Sequence, residues 1–448
     1  MTCWSQSRVK RISPSLIIAA ALLFTAACAT TPARPPAPIS SGGERVEPGT
    51  VPVEAVETDV TVAENGDNTD ELVEVAETVE TDVRRDNGFT PPHMAGRDVK
   101  RAAVLLPFSH PNARVRADAE SLLAGVELAM FNRGEESFLI LPKDTAGVRS
   151  TAQAKTREAL AEGADIIIGP LFSNNIQVAR DEARRNNVPV VGFSARPEAG
   201  GGGSYLIGLA PEEEVARVVE TAARRGARQY AYLGPDDSYG RRVEQALQTA
   251  AARNGGRVIS SAFYTPSNDA PIEEAKQVAS AINALGERPE GEVAVLIPEE
   301  GVKLRSVAPL LPYYEVDVRR IQMLGTGRWN DPAVWREPTL IGGLFAAPDP
   351  QNLTQFEQSF ERIYRSKPSR LASIGYDAGA LAAALSSVEN GLSHAGVAGR
   401  DGFQGVNGLF RFRTDGTAER SLSVLEIDAR EGAVPIELGA ETFDPSVG

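Results

Sequence analysis

The chain has 448 residues, of which 42% are hydrophobic and 24% are charged, and its formal net charge is −14. These values are ordinary for a soluble globular protein of two or three domain-sized units with a large buried core. We predict no nucleic-acid partner.

Residues 1–27 have the pattern of an export signal. Basic residues precede the apolar run SLIIAAALLFTAAC, which is too short to span a bilayer comfortably and ends in small residues. The sequence FTAAC resembles a bacterial lipobox that ends at Cys28, although Ala27-Cys28-Ala29 also fits an ordinary small-x-small cleavage site. Cys3 lies in the signal itself, so Cys28 is the sole cysteine left for the mature chain. We predict lipidation at Cys28, with ordinary cleavage as the alternative.

Residues 28–98 have the composition of a Pro-rich and acidic tether. Between Glu44 and Asp86 there are 14 acidic residues and three arginines, so this segment carries most of the negative charge of the chain. It has few aromatic or large aliphatic residues, and it cannot bury enough surface to offset the entropy of ordering. The alternation in VETDVTVAE also fits a β-strand, but no turn or partner strand accompanies it. We predict a disordered tether.

From Val99 onward the sequence alternates between strand-like and helix-like runs. The strand-like runs are RAAVLLPF, FLILPKDT, DIIIGPL and VPVVGFS, followed after SYLIGLA by QYAYLGP, RVISSAFYTP and EVAVLIP. Amphipathic runs separate most of them, which is the pattern of βαβ units. Continuous apolar strands are typical of parallel sheets that helices cover on both faces. We therefore predict an α/β fold with two successive parallel sheets, and a hairpin that turns at Asp415-Gly416.

No catalytic or metal-binding set is apparent in the sequence. The three histidines, His93, His110 and His394, lie in loop-like contexts, and the mature chain offers no cysteine nucleophile or Cys/His metal set. The adjacent carboxylates Asp236 and Asp237 lack a third ligand, and acids between a strand and a helix usually cap the helix. We predict that the protein is not an enzyme and uses no metal or cofactor.

Small polar residues follow two successive strands of the first predicted sheet. Ser173 and Asn174 come after the apolar run Ile166 to Ile168 and directly before a helix, and Ser194 follows VPVVGF. In open α/β sheets, ligands bind outside the carboxyl ends of the strands, where helix N-termini present free N–H groups. We expect the two serines to line one edge of a cleft, with simple capping of the helix by Ser173 and Asn174 as the alternative.

Three longer segments carry a family resemblance: IIIGPLFSNNIQVARDEARRNNVPVVGFSA, YLGPDDSYGRRVEQALQTAAARNGGRV and IGYDAGALAAAL. In order and spacing they are similar to segments of type I periplasmic binding proteins of the leucine/isoleucine/valine-binding class. The resemblance implies two Rossmann-like lobes joined by a three-strand hinge, with a cleft between them. It places the first lobe at about residues 99–209 and 349–407, and the second at about 210–348 and 408–448.

Within that class, the exported layout and the segment LLPYYEVDVRRIQMLGTGRWNDP resemble the lipoproteins called penicillin-binding protein activators. The resemblance implies a non-enzymatic lipoprotein on the periplasmic face of the cell envelope, at the outer membrane, that binds and activates a bifunctional penicillin-binding protein. Membrane contact would be through the lipid anchor alone. The chain lacks the N-terminal helical-repeat domain of the enterobacterial members. The alternative is the substrate-binding lipoprotein of an ABC transporter for an amino acid or another small polar solute.

The resemblance also assigns residues to the cleft. Ser173, Ser194 and Ala195 match positions that hold the carboxylate of an amino acid, and Tyr239 matches a cleft aromatic residue. Arg196 stands where the pattern has threonine. The turn Gly325–Arg328 lacks the acid that would hold the ammonium group, and an unpaired ammonium in a closed cleft costs several kcal/mol. We therefore expect weak or no binding of free amino acids.

Overall fold

The computed structural model describes residues 90–134, 137–268, 270–287 and 291–443. The predicted signal, Cys28 and the acidic part of the tether lie outside these residues. The folded part begins earlier than the predicted boundary at residue 99. A short 3-10 turn at Pro92–Met94 buries Met94, and the Thr90 hydroxyl accepts a hydrogen bond of 2.9 Å from the Arg101 guanidinium.

The first lobe contains a five-stranded parallel sheet. Its strands are β1 (Lys100–Leu106), β2 (Phe138–Asp144), β3 (Ile166–Ile168), β4 (Val190–Gly192) and β5 (Ser204–Leu206). They lie in the order β2-β1-β3-β4-β5. Helices α1 (Ala113–Arg133), α2 (Arg149–Ala161) and α3 (Ser173–Ala183) connect the first four strands. This is one of the two common orders of doubly wound sheets, in which ligands bind where the order reverses.

The second lobe begins with another βαβ series. Its parallel strands are β6 (Gln229–Pro235), β7 (Arg257–Tyr264), β8 (Val293–Leu296), β9 (Gln322–Gly325) and β10 (Leu344–Ala347). Its helices are α4 (Pro211–Arg224), α5 (Ser238–Arg253), α6 (Ile272–Asn283), α7 (Gly301–Val307) and α8 (Leu310–Tyr313). Every residue of β3 and of β8 is buried, as we predicted for strands covered on both faces.

The chain then returns to the first lobe. The returning elements are α9 (Pro350–Tyr364), α10 (Ala372–Ser386), α11 (His394–Val397), β11 (Phe403–Gly405), β12 (Gly408–Phe412) and β13 (Ala418–Arg420). The last three strands form an antiparallel sheet, and β12 and β13 are the predicted hairpin. Phe410 and Phe412 pack in the same core as β1 and β3, because their rings cover that sheet. The predicted lobe boundary at residue 408 is therefore about a dozen residues early.

Two last strands complete the second sheet. Strand β14 (Ser423–Asp428) pairs antiparallel with β10, and β15 (Gly432–Glu437) pairs antiparallel with β14, which gives the order β15-β14-β10-β9-β8-β6-β7. The chain thus crosses between the lobes three times, after β5, after β10 and after β13. A buried ion pair between Arg420 and Asp377, at 3.2 Å, stabilises the third crossing, and Arg420 also donates to the Ile207 carbonyl at 3.0 Å.

Glycines let α1 and α10 pack closely. A Cβ on Gly375 would overlap the carbonyl of Leu122, and one on Gly125 would overlap that of Ala372. The backbones of the two helices are therefore in direct contact. Within the described parts of the chain, no helix is both long and apolar enough to cross a membrane.

Candidate ligand-binding cleft

The hydroxyl groups of Ser173 and Ser194 meet at the end of the first sheet. Their Oγ atoms are 2.8 Å apart, and Ser194 is buried. The Phe193 amide donates to the carbonyl of Pro170, at 3.1 Å, which ties together the turns that follow β3 and β4. Ser173 begins α3 and its hydroxyl makes no capping bond, since the cap position belongs to Phe172. Ser173 therefore does not cap α3, and the role of the two serines in lining the cleft stays a prediction.

The other predicted residues of this edge have different environments. Asn174 is exposed on the first turn of α3. The Ala195 carbonyl accepts a 2.8 Å hydrogen bond from Arg242 of the second lobe. Arg196 donates its amide to the Ser194 hydroxyl at 3.0 Å, and its exposed guanidinium donates to Ser238 of the second lobe at 3.2 Å. Ala195 and Arg196 thus bridge the lobes.

Tyr239 lies in the second lobe with its ring covered by an arginine. The guanidinium carbon of Arg328 is 3.7 Å from the ring centre, which is a close cation–π contact. The Tyr239 hydroxyl shares a 2.9 Å hydrogen bond with the buried Thr326, and burial raises the pKa of the phenol to about 12. An aromatic side chain that could stack on a ligand is instead stacked on Arg328.

A carboxylate does lie against the turn Gly325–Arg328, although no residue of the turn supplies it. Glu214, from the first turn of α4, accepts a 3.0 Å hydrogen bond from the Gly327 amide. Burial raises the pKa of Glu214 to about 7, against a smaller opposing effect of the Gly327 bond and of Arg370 and Arg328. The turn sequence itself contains no acid, but Glu214 supplies a carboxylate at this position.

Sequence reasoning missed Glu214 because its contact joins residues 113 positions apart. The available signal was PEEEV, three successive acids at a helix N-terminus that directly follows a crossing between the lobes. The structure gives each acid a different partner. Glu212 pairs with Arg242 at 2.7 Å, Glu213 with Arg413 at 2.9 Å, and Glu214 with the turn at Gly327.

Polar contacts across the cleft leave little space between the lobes. Arg370 of the first lobe pairs with Glu300 of the second at 3.1 Å and donates to the Gly327 carbonyl at 3.2 Å. A cavity of about 140 Å³ remains beside Glu214 and Arg370. Pockets for small ligands usually measure about 300–1,000 Å³. In this arrangement, the lobes hold each other through protein side chains.

Asp236, Asp237 and His394, which we set aside as candidate ligands, have structural partners. Asp237 accepts a 2.8 Å hydrogen bond from Gly240 and caps α5, as predicted, while Asp236 pairs with Arg241. His394 shares a 3.3 Å hydrogen bond with Tyr205, and burial lowers its pKa. In the segments that the structure describes, no group of three or more His, Cys, Asp or Glu side chains is arranged to hold a metal ion.

Two α/β lobes, three crossings and a cleft at the carboxyl ends of the strands define a two-lobed binding protein. The family model described as periplasmic binding protein matches residues 101–433. The chain therefore belongs to the periplasmic binding protein family, and membership implies a periplasmic location. The predicted type I fold is confirmed.

Individual relatives are distant. A proposed branched-chain amino acid ABC transporter protein from Rhodospirillum rubrum has a TM-score of 0.66 at 17% identity, over 75% of this chain and 100% of that one. Full-length LpoA from Haemophilus influenzae has a TM-score of 0.57 at 18% identity, over 76% of this chain and 59% of that one. An uncharacterized Rickettsia prowazekii protein is 19% identical over 50% of this chain, which spans about 60% of that relative. At these identities the likeness shows the fold alone.

Proposed function

We propose that this protein is a non-enzymatic regulator of the cell envelope that binds another protein through the surfaces of its lobes. The observation that carries the proposal is the 3.7 Å contact of Arg328 with Tyr239, the aromatic residue that the resemblance assigns to the cleft. Arg370 and Arg242 add contacts that join the lobes, so a solute at the residues that the resemblance assigns to the cleft would compete with protein groups. A protein whose cleft is filled by its own side chains would recognise a partner protein through its outer surfaces.

The partner that we propose is a bifunctional penicillin-binding protein, the peptidoglycan synthase that the activator lipoproteins bind. The proposal follows from the resemblance of residues 310–332 to those activators, and the fold likeness to LpoA is consistent with it. Lipidation at Cys28 would hold the protein at the outer membrane. A fully extended tether of roughly 70 residues would reach about 230 Å, enough to meet a synthase through the wall.

An activator of this kind works by binding the active conformer of the synthase better than the inactive one. A tenfold shift in the two populations needs only about 1.4 kcal/mol of differential affinity. Movement of the lobes would change the surfaces beside Ser173, Ser194 and Tyr239, so closure of the cleft offers a means of regulating the interface.

The experiment mixes the purified full chain with each bifunctional synthase of the same organism and measures lipid II consumption and cross-linking. We expect binding and a several-fold faster reaction with one of them. The substitution Arg370→Ala, which removes a contact between the lobes, should alter the stimulation, while Arg253→Ala, at an exposed arginine in the last turn of α5, should not. Absence of binding and of any rate change with every synthase would contradict the proposal.

A solute receptor of an ABC transporter is the second candidate, and Glu214 favours it. Its carboxylate lies at the turn where an amino-acid ammonium group would be held, opposite the serine pair that suits a carboxylate. Several proteins of the same fold are described as transporter components, among them the Rhodospirillum rubrum protein. Micromolar binding of an amino acid by the full chain would decide for this candidate.

A further inference from the structure

A second cavity opens on the first lobe and shares the lining residue Phe356 with the cavity in the cleft. It measures about 290 Å³ and lies between the C-terminal end of α1, one face of α9, the middle of α10 and strand β11. The side chains that matter to its chemistry are Asn132, Asn352, Gln355, Phe356, Tyr376 and Gln404. Its volume is close to the lower end of the range for small-molecule pockets.

The lining of this cavity is polar but carries no charge. Four of its nine lining residues carry a side-chain carboxamide, and none carries a basic group or a carboxylate. In the whole chain, by contrast, 24% of the residues are charged. A carboxamide offers two N–H donors and one carbonyl acceptor, so it matches ligands that also carry both kinds of group. A charged ligand would find no opposite charge among these side chains, whereas a ligand of hydroxyl and amide groups would find complementary partners.

These carboxamides are available to a ligand. Within the described residues, the side chains of Asn352, Gln355 and Gln404 make no hydrogen bond to the protein, while Asn132 donates to the Tyr376 hydroxyl at 3.1 Å. Asn352, Gln355 and Ser359 follow one another at helical spacing and lie on the same face of α9, and the exposed acids Glu357 and Glu361 lie outside the lining. The helix thus presents an uncharged polar face to the cavity.

The floor and the aromatic wall of the cavity are rigid. The buried Asp377 accepts hydrogen bonds from the Val406 amide at 2.6 Å and from the Asn407 side chain at 2.9 Å, which fixes the turn after β11. The rings of Phe356 and Tyr376 meet edge to face with 5.5 Å between centroids. A site with fixed walls loses little entropy when a ligand binds.

We propose that this cavity binds an uncharged saccharide that bears amide groups, such as an N-acetylated hexosamine chain. Hydroxyl groups and acetamide groups of the sugar would pair with the carboxamides, and the apolar face of a ring would contact Tyr376. A peptide strand is a poorer fit, because β11 has only three residues along its free edge. The proposal does not depend on the synthase proposal, since it rests on the lining of this cavity alone.

The test titrates the full chain with the neutral trimer of N-acetylglucosamine and follows binding by calorimetry and saturation-transfer NMR. We expect a dissociation constant of about 1 mM or tighter. Gln355→Ala and Gln404→Ala should each weaken binding about tenfold, which corresponds to the loss of one or two hydrogen bonds to the ligand. The matched control is Gln358→Ala, an exposed glutamine of α9 outside the cavity. Gln355 and Gln404 are themselves exposed, so their removal should leave folding intact.

Three outcomes would overturn the proposal. The first is no binding of the trimer up to about 10 mM, and the second is equal binding by the wild type and by both cavity variants. The third is competition by an uncharged tripeptide at a lower concentration than the sugar, which would assign the cavity to a peptide. Failure of synthase activation would leave the saccharide result unaffected, and each proposal can therefore fail alone.

Discussion

At the scale of single residues, the environment of Glu214 distinguishes this cleft most clearly. The carboxyl group is held by the Gly327 amide, yet burial raises its pKa to about 7 from the usual 4.5. Between pH 4.5 and about pH 7, the Glu214 carboxyl group is protonated in the native state but has released its proton in the unfolded chain. The free energy of unfolding therefore falls as the pH rises through that window, and the loss is complete above about pH 7.

Glu214→Gln removes this titration and keeps an oxygen that can accept from Gly327. We expect the variant to gain stability relative to the wild type between pH 4.5 and pH 8, by at most about 3 kcal/mol. Urea unfolding at both pH values measures the difference. Glu361→Gln, at an exposed glutamate of α9, is the control and should show no such trend. If the difference in unfolding free energy between Glu214→Gln and the wild type were the same at both pH values, the raised pKa of Glu214 would be contradicted.

At the scale of elements, the contact between α1 and α10 depends on glycine. Alanine in the middle of a helix ordinarily stabilises it by about 1 kcal/mol relative to glycine. At Gly375, however, the added methyl group would overlap the Leu122 carbonyl of the facing helix. Backbone atoms cannot turn aside as a flexible side chain can, so the two helices would have to separate.

We therefore expect Gly375→Ala to destabilise the protein by about 2–3 kcal/mol, opposite in sign to the effect of helix propensity. Denaturant unfolding measures the change. Ser386→Ala, at the end of the same helix, removes only a local hydrogen bond and should change stability by less than about 0.5 kcal/mol. A neutral or stabilising effect of Gly375→Ala would show that the helices are not packed as closely as described.

At the scale of the whole molecule, local patterns in the sequence were sufficient to predict the two sheets and the hairpin, while the two-lobed arrangement was implied by the family resemblance. The apolar runs of β3 and β8 and the Asp415-Gly416 turn each depend on neighbouring residues, and the predicted sheets and hairpin are confirmed. The meeting of Ser173 with Ser194 followed from the order of parallel strands. Two contacts could not be predicted in this way: that of Glu214 with Gly327 and the stacking of Arg328 on Tyr239. They join residues that are distant in sequence, and their approach depends on how α4 and α5 pack beside the turn after β9 within the second lobe.

The central proposal is that protein groups rather than a solute fill the cleft. Calorimetric titration of the full chain with leucine, isoleucine and valine tests it most directly. We predict no measurable binding at about 1 mM ligand, because a solute would have to displace Arg328 from Tyr239 and break the Arg370 bridge between the lobes. A dissociation constant in the micromolar range, about −8 kcal/mol, would contradict the claim and would identify the protein as a solute receptor.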